Sequence, residues 1–403
     1  MKKIFALFSI FILSLQSFTY ATYLSVPTWN DNSGTTEVNA EIADNFLNIE
    51  AESAVLIEQN SGKILYEKNA NEQLRPASVT KIMSILLIME ALDSGKITLD
   101  TKVACSANAA SMGGSQIWLN ETENLTVDEM LKAICVVSAN DCVVAMAEHL
   151  AGSEEAFVEQ MNKRAQELGM KNTTFKNCHG IDEDGHITTS YDIALMSREL
   201  LKNHPDITKY TTIWMDSLRD GKSQLVNTNK LIRTYEGATG LKTGSTSLAL
   251  YNLSASATRG DLSLIAVVMK APTTKIRFSS AKTLLDYGFN TYNYEKVATK
   301  DFVVQTINVN KSTKNQINLV FENDCGALVK KGSSANVEQT ITLNENISAP
   351  LHKGDIVGKA TFSVDGENVG EVNIVSDSDV EKMNFVNIFK AVSSKWCNLL
   401  REN

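Results

Sequence analysis

The chain has 403 residues, 43% hydrophobic and 21% charged, with only 5 prolines. That composition excludes a fibrous or wholly disordered chain, and the length suffices for two or three domains. Lys and Arg number 38 against 47 Asp and Glu, a balance of −9. Such a balance argues against bulk nucleic-acid binding, which needs a basic face to neutralise phosphates.

Met1-Lys2-Lys3, the apolar run Ile4 to Leu15 and Thr19-Tyr20-Ala21 have the charged, apolar and small-residue pattern of a secretory signal peptide, residues 1–21. The run is 12 residues long, short of the roughly 20 that span a bilayer. The alternative is an uncleaved anchor. Residues 22–50 are polar and patternless and read as a tether. Ala54–Ile57 and Lys63–Tyr66, joined across Asn60-Ser61-Gly62, predict a β-hairpin. A helix-rich stretch follows over 78–203. Its clearest helix is 154–168, where Phe157, Met161, Ala165 and Leu168 form one stripe that Gly169 ends. Strands return at 248–258 and 262–269. The fold expected for residues 51–295 is therefore an α/β (α+β) domain. Its sheet takes its first and last strands from opposite ends of the domain and is covered by helices.

Short strand-like runs at 303–309, 317–321, 339–343 and 360–375, the last turning at Asp365-Gly366, predict a small all-β, sandwich-like domain over 296–379. In the tail, 380–403, Phe385, Phe389, Val392, Trp396 and Leu399 recur at helical spacing among Lys382, Lys390, Lys395 and Arg401. This predicts an amphipathic helix lying in a membrane interface. The alternative is a helix packed on the β domain. The six cysteines (105, 135, 142, 178, 325 and 397) lack CxxC or zinc spacing and read as isolated thiols.

The five histidines form no HExxH, and GxSxG, Walker A and GxGxxG are all absent. No metal or cofactor is expected. What remains is serine with lysine. Pro76-Ala77-Ser78-Val79-Thr80-Lys81 opens the segment 82–89, apolar nearly all round apart from Ser84 and so a buried helix. Ser78 and Lys81 are three apart and share a helix face. Burial disfavours a charged lysine and can make it a base, while helix N–H groups beside Ser78 can meet an oxyanion. The motif is short, and Ser279 to Lys282 repeats it. Likewise Ser-Ala-Asn starts at Ser106, Ser138 and Ser334, whereas Lys242-Thr243-Gly244 occurs once. Setting selects Ser138-Ala139-Asn140, on a turn after the apolar 134–137, and Lys242-Thr243-Gly244, just ahead of the strand pair.

SxxK, SxN and KTG in that order resemble the serine acyl-transferases, the penicillin-binding proteins and β-lactamases. Arg75–Lys81, Val137–Asp141, His179-Gly180 and Gly240–Thr246 further resemble the low-molecular-mass D-alanyl-D-alanine carboxypeptidases. The order of signal peptide, catalytic domain, β domain and tail is similar too. The resemblance implies a β-lactamase/transpeptidase-like fold with Ser78 as acylated nucleophile, Lys81 as its base and Ser138 as proton relay to the leaving amine. It implies that Asn140 binds the substrate amide and that Lys242 and Thr243 hold the terminal carboxylate. The backbone N–H groups of Ser78 and Ser245 would form the oxyanion hole. Arg277 is the candidate for a further arginine near the carboxylate, with Arg259 the other option. The expected substrate is the peptidoglycan stem peptide, with β-lactams as covalent inhibitors and a membrane surface as partner. The expected location is the outer face of the cytoplasmic membrane or the cell-wall space. A serine β-lactamase shares the motifs, but the only E-x-x-x-N after Ser138, Glu199 to Asn203, falls in a helical run. A non-catalytic wall scaffold is the third reading.

Overall fold

In the computed structural model, residues 47–309, 312–314, 316–332, 337–364, 366–385, 389 and 393 are described. The apolar run near the start forms β1, Ser53–Glu58, buried along its whole length, which turns back into β2, Ile64–Lys68. Five helices then matter for the site: α1, Lys81–Asp93; α2, Val127–Val136; α3, Asn140–Ala151; α4, Glu154–Glu167; and α5, Ser190–Asn203. Their starts carry local signals. Thr126 and Glu129 form a reciprocal capping box on α2, and Ser153 and Thr189 cap α4 and α5 through their hydroxyls. The chain next supplies β3, Ala238–Thr246; β4, Leu250–Arg259; β5, Leu262–Ala271; and a final helix, α6, Thr274–Thr291.

All pairings in the main sheet are antiparallel, in the order β2–β1–β5–β4–β3. Both faces are covered, so alternate residues feed different cores. Val55, Ile57, Ile265 and Val267 pack into the helical body around α1, α2 and α3. Leu56, Ala54, Leu264 and Ala266 pack instead with Leu284 and Leu285 of α6. This explains why β1 reads as continuously apolar, and it bears out the sheet closed by strands from both ends of the domain. One expectation is corrected: Lys242-Thr243-Gly244 does not merely precede the strand pair but lies within β3, the edge of the sheet.

The β domain begins with β6, Tyr292–Ala298, across the expected junction at 296. It continues with β7, Val303–Asn308; β8, Gln316–Phe321; β9, Cys325–Lys330; β10, Glu338–Leu343; β11, Ile356–Val364; and β12, Glu367–Ser376. A five-stranded sheet, β7–β8–β12–β11–β10, and the ribbon β6–β9 enclose one core that includes Leu319, Phe321, Ala327, Phe362 and Ile374. The domain is all-β. Strands β6 and β9 were not anticipated from sequence, because charged Glu295 and Lys296 interrupt one and Gly326 the other. The expected signal peptide, all of the expected tether before residue 47 and most of the expected tail helix lie outside the described residues. So does Cys397; the other five cysteines are free thiols, four of them buried.

Candidate active site

Ser78 sits in a 3₁₀ turn, Ala77–Thr80, that runs directly into α1. Ala77 before it has φ +49°, a left-handed conformation that non-glycine residues rarely adopt and that tends to cluster at functional sites. Two glycines from distant segments press on this turn. A Cβ on Gly180, φ +91°, would lie 2.0 Å from the Ala77 carbonyl oxygen; one on Gly244 would lie 2.9 Å from the amide nitrogens of Ser78 and Val79. Only glycine admits approaches this close.

One helical turn on, Lys81 is wholly buried, its Nζ 3.1 Å from Ser78 Oγ. It also donates to Asn140 Oδ1 and to the His179 carbonyl, each at 2.6 Å. Burial, reinforced by the Lys242 cation, pushes its pKa well below the usual lysine value. A neutral amine has two N–H bonds and one lone pair. In that neutral form, with Asn140 and His179 taking the two hydrogens, the lone pair would be left for the Ser78 hydroxyl. That is the geometry of a general base on a serine nucleophile.

The turn between α2 and α3 supplies the next group. Ser138 has φ +68°, and its buried Oγ has no hydrogen-bond partner. Asn140 opens α3 with one bond at each end of its amide: Oδ1 accepts from Lys81, and Nδ2 donates to the Gly113 carbonyl at 2.7 Å. Buried Asp141 beside it accepts from the Ile117 and Leu119 amides at 3.1 and 3.0 Å, pinning the loop that receives Asn140.

The opposite wall is β3. Lys242 is 1% exposed and makes one bond, to the Thr243 carbonyl at 2.9 Å. Burial brings its pKa down to about 7, and the Arg277 cation also lowers it. Thr243 Oγ1 donates to Thr228 Oγ1, while Ser245, one residue past Gly244, is exposed. Register separates the two candidate arginines. Arg277 Nη1 reaches the carbonyls of Gly244 and Asn252, paired residues on β3 and β4, at 3.4 and 3.3 Å. Its guanidinium is buried, with Nε unpartnered. Arg259 ends β4 seven residues beyond Asn252, about 23 Å along the strand, and stacks on Tyr235 and Phe289. The structure therefore brings Ser78, Lys81, Asn140, Lys242 and Arg277 towards one locus and leaves Arg259 outside it. Ser279 and Lys282, the second SxxK, are exposed on α6.

Glu199 is elsewhere, on α5. Arg164 of α4 bonds its carboxylate at 2.6 Å and that of Glu90 at 2.7 Å. These two carboxylates and His204 also form the one grouping of three potential metal ligands among the described residues, and the guanidinium already bridges two of them.

Residues 37–273 match the family described as D-alanyl-D-alanine carboxypeptidase, and 292–382 match the C-terminal domain of penicillin-binding protein 5. The chain is 47% identical over 351 residues to the D-alanyl-D-alanine carboxypeptidase DacF of Bacillus subtilis, covering 86% of this chain and 90% of that protein. The chain belongs to the D-alanyl-D-alanine carboxypeptidase family. The Escherichia coli member DacC is 34% identical, covering 84% of this chain and 86% of its own. Among solved structures, penicillin-binding protein 5 from Haemophilus influenzae matches with a TM-score of 0.71 and 32% identity, over 83% of this chain and 98% of that one. Penicillin-binding protein D2 from Listeria monocytogenes, in the ampicillin-bound form, matches with 0.56 and 30%, over 60% and 99%.

The main contributor to this family site that residue types did not reveal is the His179 carbonyl, a backbone atom. Its sequence trace is the pair His179-Gly180, whose glycine lets the turn reach the Ser78 turn.

Proposed function

We propose that this protein is a serine-type D-alanyl-D-alanine carboxypeptidase. It removes the terminal D-alanine from peptidoglycan pentapeptide stems through an acyl-enzyme on Ser78, in cell-wall synthesis and remodelling. The observation that carries the reading is a wholly buried Lys81 whose Nζ faces Ser78 Oγ while two neutral oxygens hold its hydrogens. Lys81 takes the hydroxyl proton as Ser78 Oγ bonds the carbonyl carbon between the two D-alanines. Ser138, whose hydroxyl has no protein partner, passes a proton to the leaving amine as the C–N bond breaks. Water then cleaves the ester. The amides of Ser78 and Ser245, drawn together by the glycine at 244, face the developing oxyanion. Lys242, Thr243 and Arg277 receive the substrate carboxylate at the β3 edge. Asn140 orients Lys81, and its amide is the group next to hand for the substrate amide.

β-Lactams acylate the same serine in this reading; the ampicillin-bound Listeria structure supports it. Residues 1–21 act as the export signal, 22–50 as tether, 51–295 as catalytic domain, 296–379 as β-sandwich-like domain and 380–403 as membrane-associating helix. The helical residues Phe385 and Phe389 are 81% and 67% exposed, which supports a tail that meets a lipid surface at the outer face of the membrane. Among the described residues no helix is long and apolar enough to cross a membrane. Against the β-lactamase alternative stands Glu199, bound to Arg164 instead of facing Ser78. Release of D-alanine from a pentapeptide, absent in Ser78→Ala, tests the function; no release from the wild type would favour the scaffold. Rapid turnover of penicillin would favour the β-lactamase.

A further inference from the structure

Two adjacent glutamates open α4, and they do different things. Glu155 stays at the helix end, where its own amide and Ser153 hold its carboxyl below the usual range. Glu154 turns away towards the loop that carries His179. Its Oε1 accepts from the Cys178 amide at 3.1 Å and lies 3.4 Å from His179 Nε2. His179 Nδ1 accepts from the Ile181 amide at 3.1 Å, so the ring proton sits on Nε2, the nitrogen on the Glu154 side. Further bonds close the same turn: Gly180 N–H donates to Asn177 Oδ1 at 2.7 Å, and Ser84 Oγ–H to the Cys178 carbonyl at 2.6 Å. The product of this bracing is a fixed His179 carbonyl oxygen, held 2.6 Å from Lys81 Nζ in a buried bond.

We propose that Glu154 is a positioning residue for the catalytic base: it anchors the 178–180 turn so that the His179 carbonyl takes one hydrogen of Lys81 and leaves the lysine lone pair on Ser78. Glu154 touches neither substrate nor Ser78. Its effect passes through the turn, and its requirement is for an acceptor oxygen at that reach rather than for a negative charge. Nothing in the local sequence signals this, since an acidic residue in the first turn of a helix has a sufficient reason to be there. The contact that matters spans 24 residues of chain.

This inference rests on the acyl-transfer reading. The experiment measures acylation of the full chain by a fluorescent penicillin, separating the noncovalent Kd from the acylation rate constant, in wild type, E154Q, E154D, E154A and E155A. Glutamine keeps the acceptor at full reach without the charge; aspartate keeps the charge but withdraws it. E154A and E154D are expected to acylate about tenfold or more slowly at unchanged Kd, as misplacement of a catalytic group requires. E154Q and E155A are expected to stay close to wild type. If E154A does not fold, the E154Q and E154D pair carries the same contrast. Acylation by E154D at the wild-type rate, or by E154Q as slowly as by E154D, would overturn the inference while leaving the acyl-transfer reading intact. A wild type that penicillin does not label would overturn both.

Discussion

Lys81 and Lys242 are both almost wholly buried, 0% and 1% exposed, and stand on opposite walls of one site. Burial lowers the pKa of each; the Lys242 cation adds to the shift of Lys81, and the Arg277 cation to that of Lys242. Their bonding differs. Lys81 begins a buried helix and has oxygens of Ser78, Asn140 and His179 around its Nζ. Lys242 lies on an edge strand with one backbone carbonyl for a partner. Burial lowers both pKa values, but the number of acceptors decides the task. A lysine whose hydrogens are taken by the protein offers its lone pair, whereas one with spare donors awaits an anion.

The largest effect that tests this contrast comes from the base itself. Lys81→Ala and Ser78→Ala should each reduce D-alanine release by about 10⁴-fold or more, since members of one catalytic unit fail together. Either variant with substantial residual release would break the assignment of the helix side. Next is the packing that places Ser78. Gly180→Ala adds a Cβ 2.0 Å from the Ala77 oxygen and should slow acylation by about 10²-fold. Gly152→Ala, at φ +89° with nothing within 4 Å, should cost only about 1 kcal/mol of stability and no rate. Equal rates in the two variants would sever the glycine contact from catalysis.

Lys242 should behave differently in stability. Its pKa is about 7 in the folded protein against about 10.4 unfolded, so the unfolded chain binds more protons between those values and folding stability rises with pH there. Lys242→Met should therefore be more stable than wild type in urea, fully so below about pH 7, with the gap closing towards pH 10. An unchanged gap across that window would contradict a depressed Lys242. The smallest expected effect is at Glu199: Glu199→Ala should leave the lifetime of the penicillin acyl-enzyme unchanged and cost at most about 1 kcal/mol, the worth of a partly exposed ion pair. A lifetime that lengthens would reopen the β-lactamase reading.

Much of this was legible because the motif residues carry their setting with them. Ser78-Val79-Thr80-Lys81 is followed by an apolar helix, and Ser138 by the start of another, so both could be placed near helix ends. The first hairpin and the last two strands of the sheet showed as apolar runs between turn residues. Strand β3 did not, because its Gly240, Lys242 and Gly244 imitate a loop while the edge position satisfies them. Arg277 was preferred to Arg259 only through the resemblance, since only the register of β3 against β4 says which end of the sheet Arg259 occupies. The part played by His179 was hidden because the atom that contributes is a carbonyl oxygen that every residue possesses.

The claim on which the account turns is that Lys81 is neutral in the resting protein. The direct measurement is the acylation rate constant of the wild type as a function of pH. A depressed Lys81 gives an acid limb well below the ordinary lysine range near 10.4, with the rate flat through that range. A rate that climbs steadily from about pH 7 to pH 10, tracking an ordinary lysine, would contradict it.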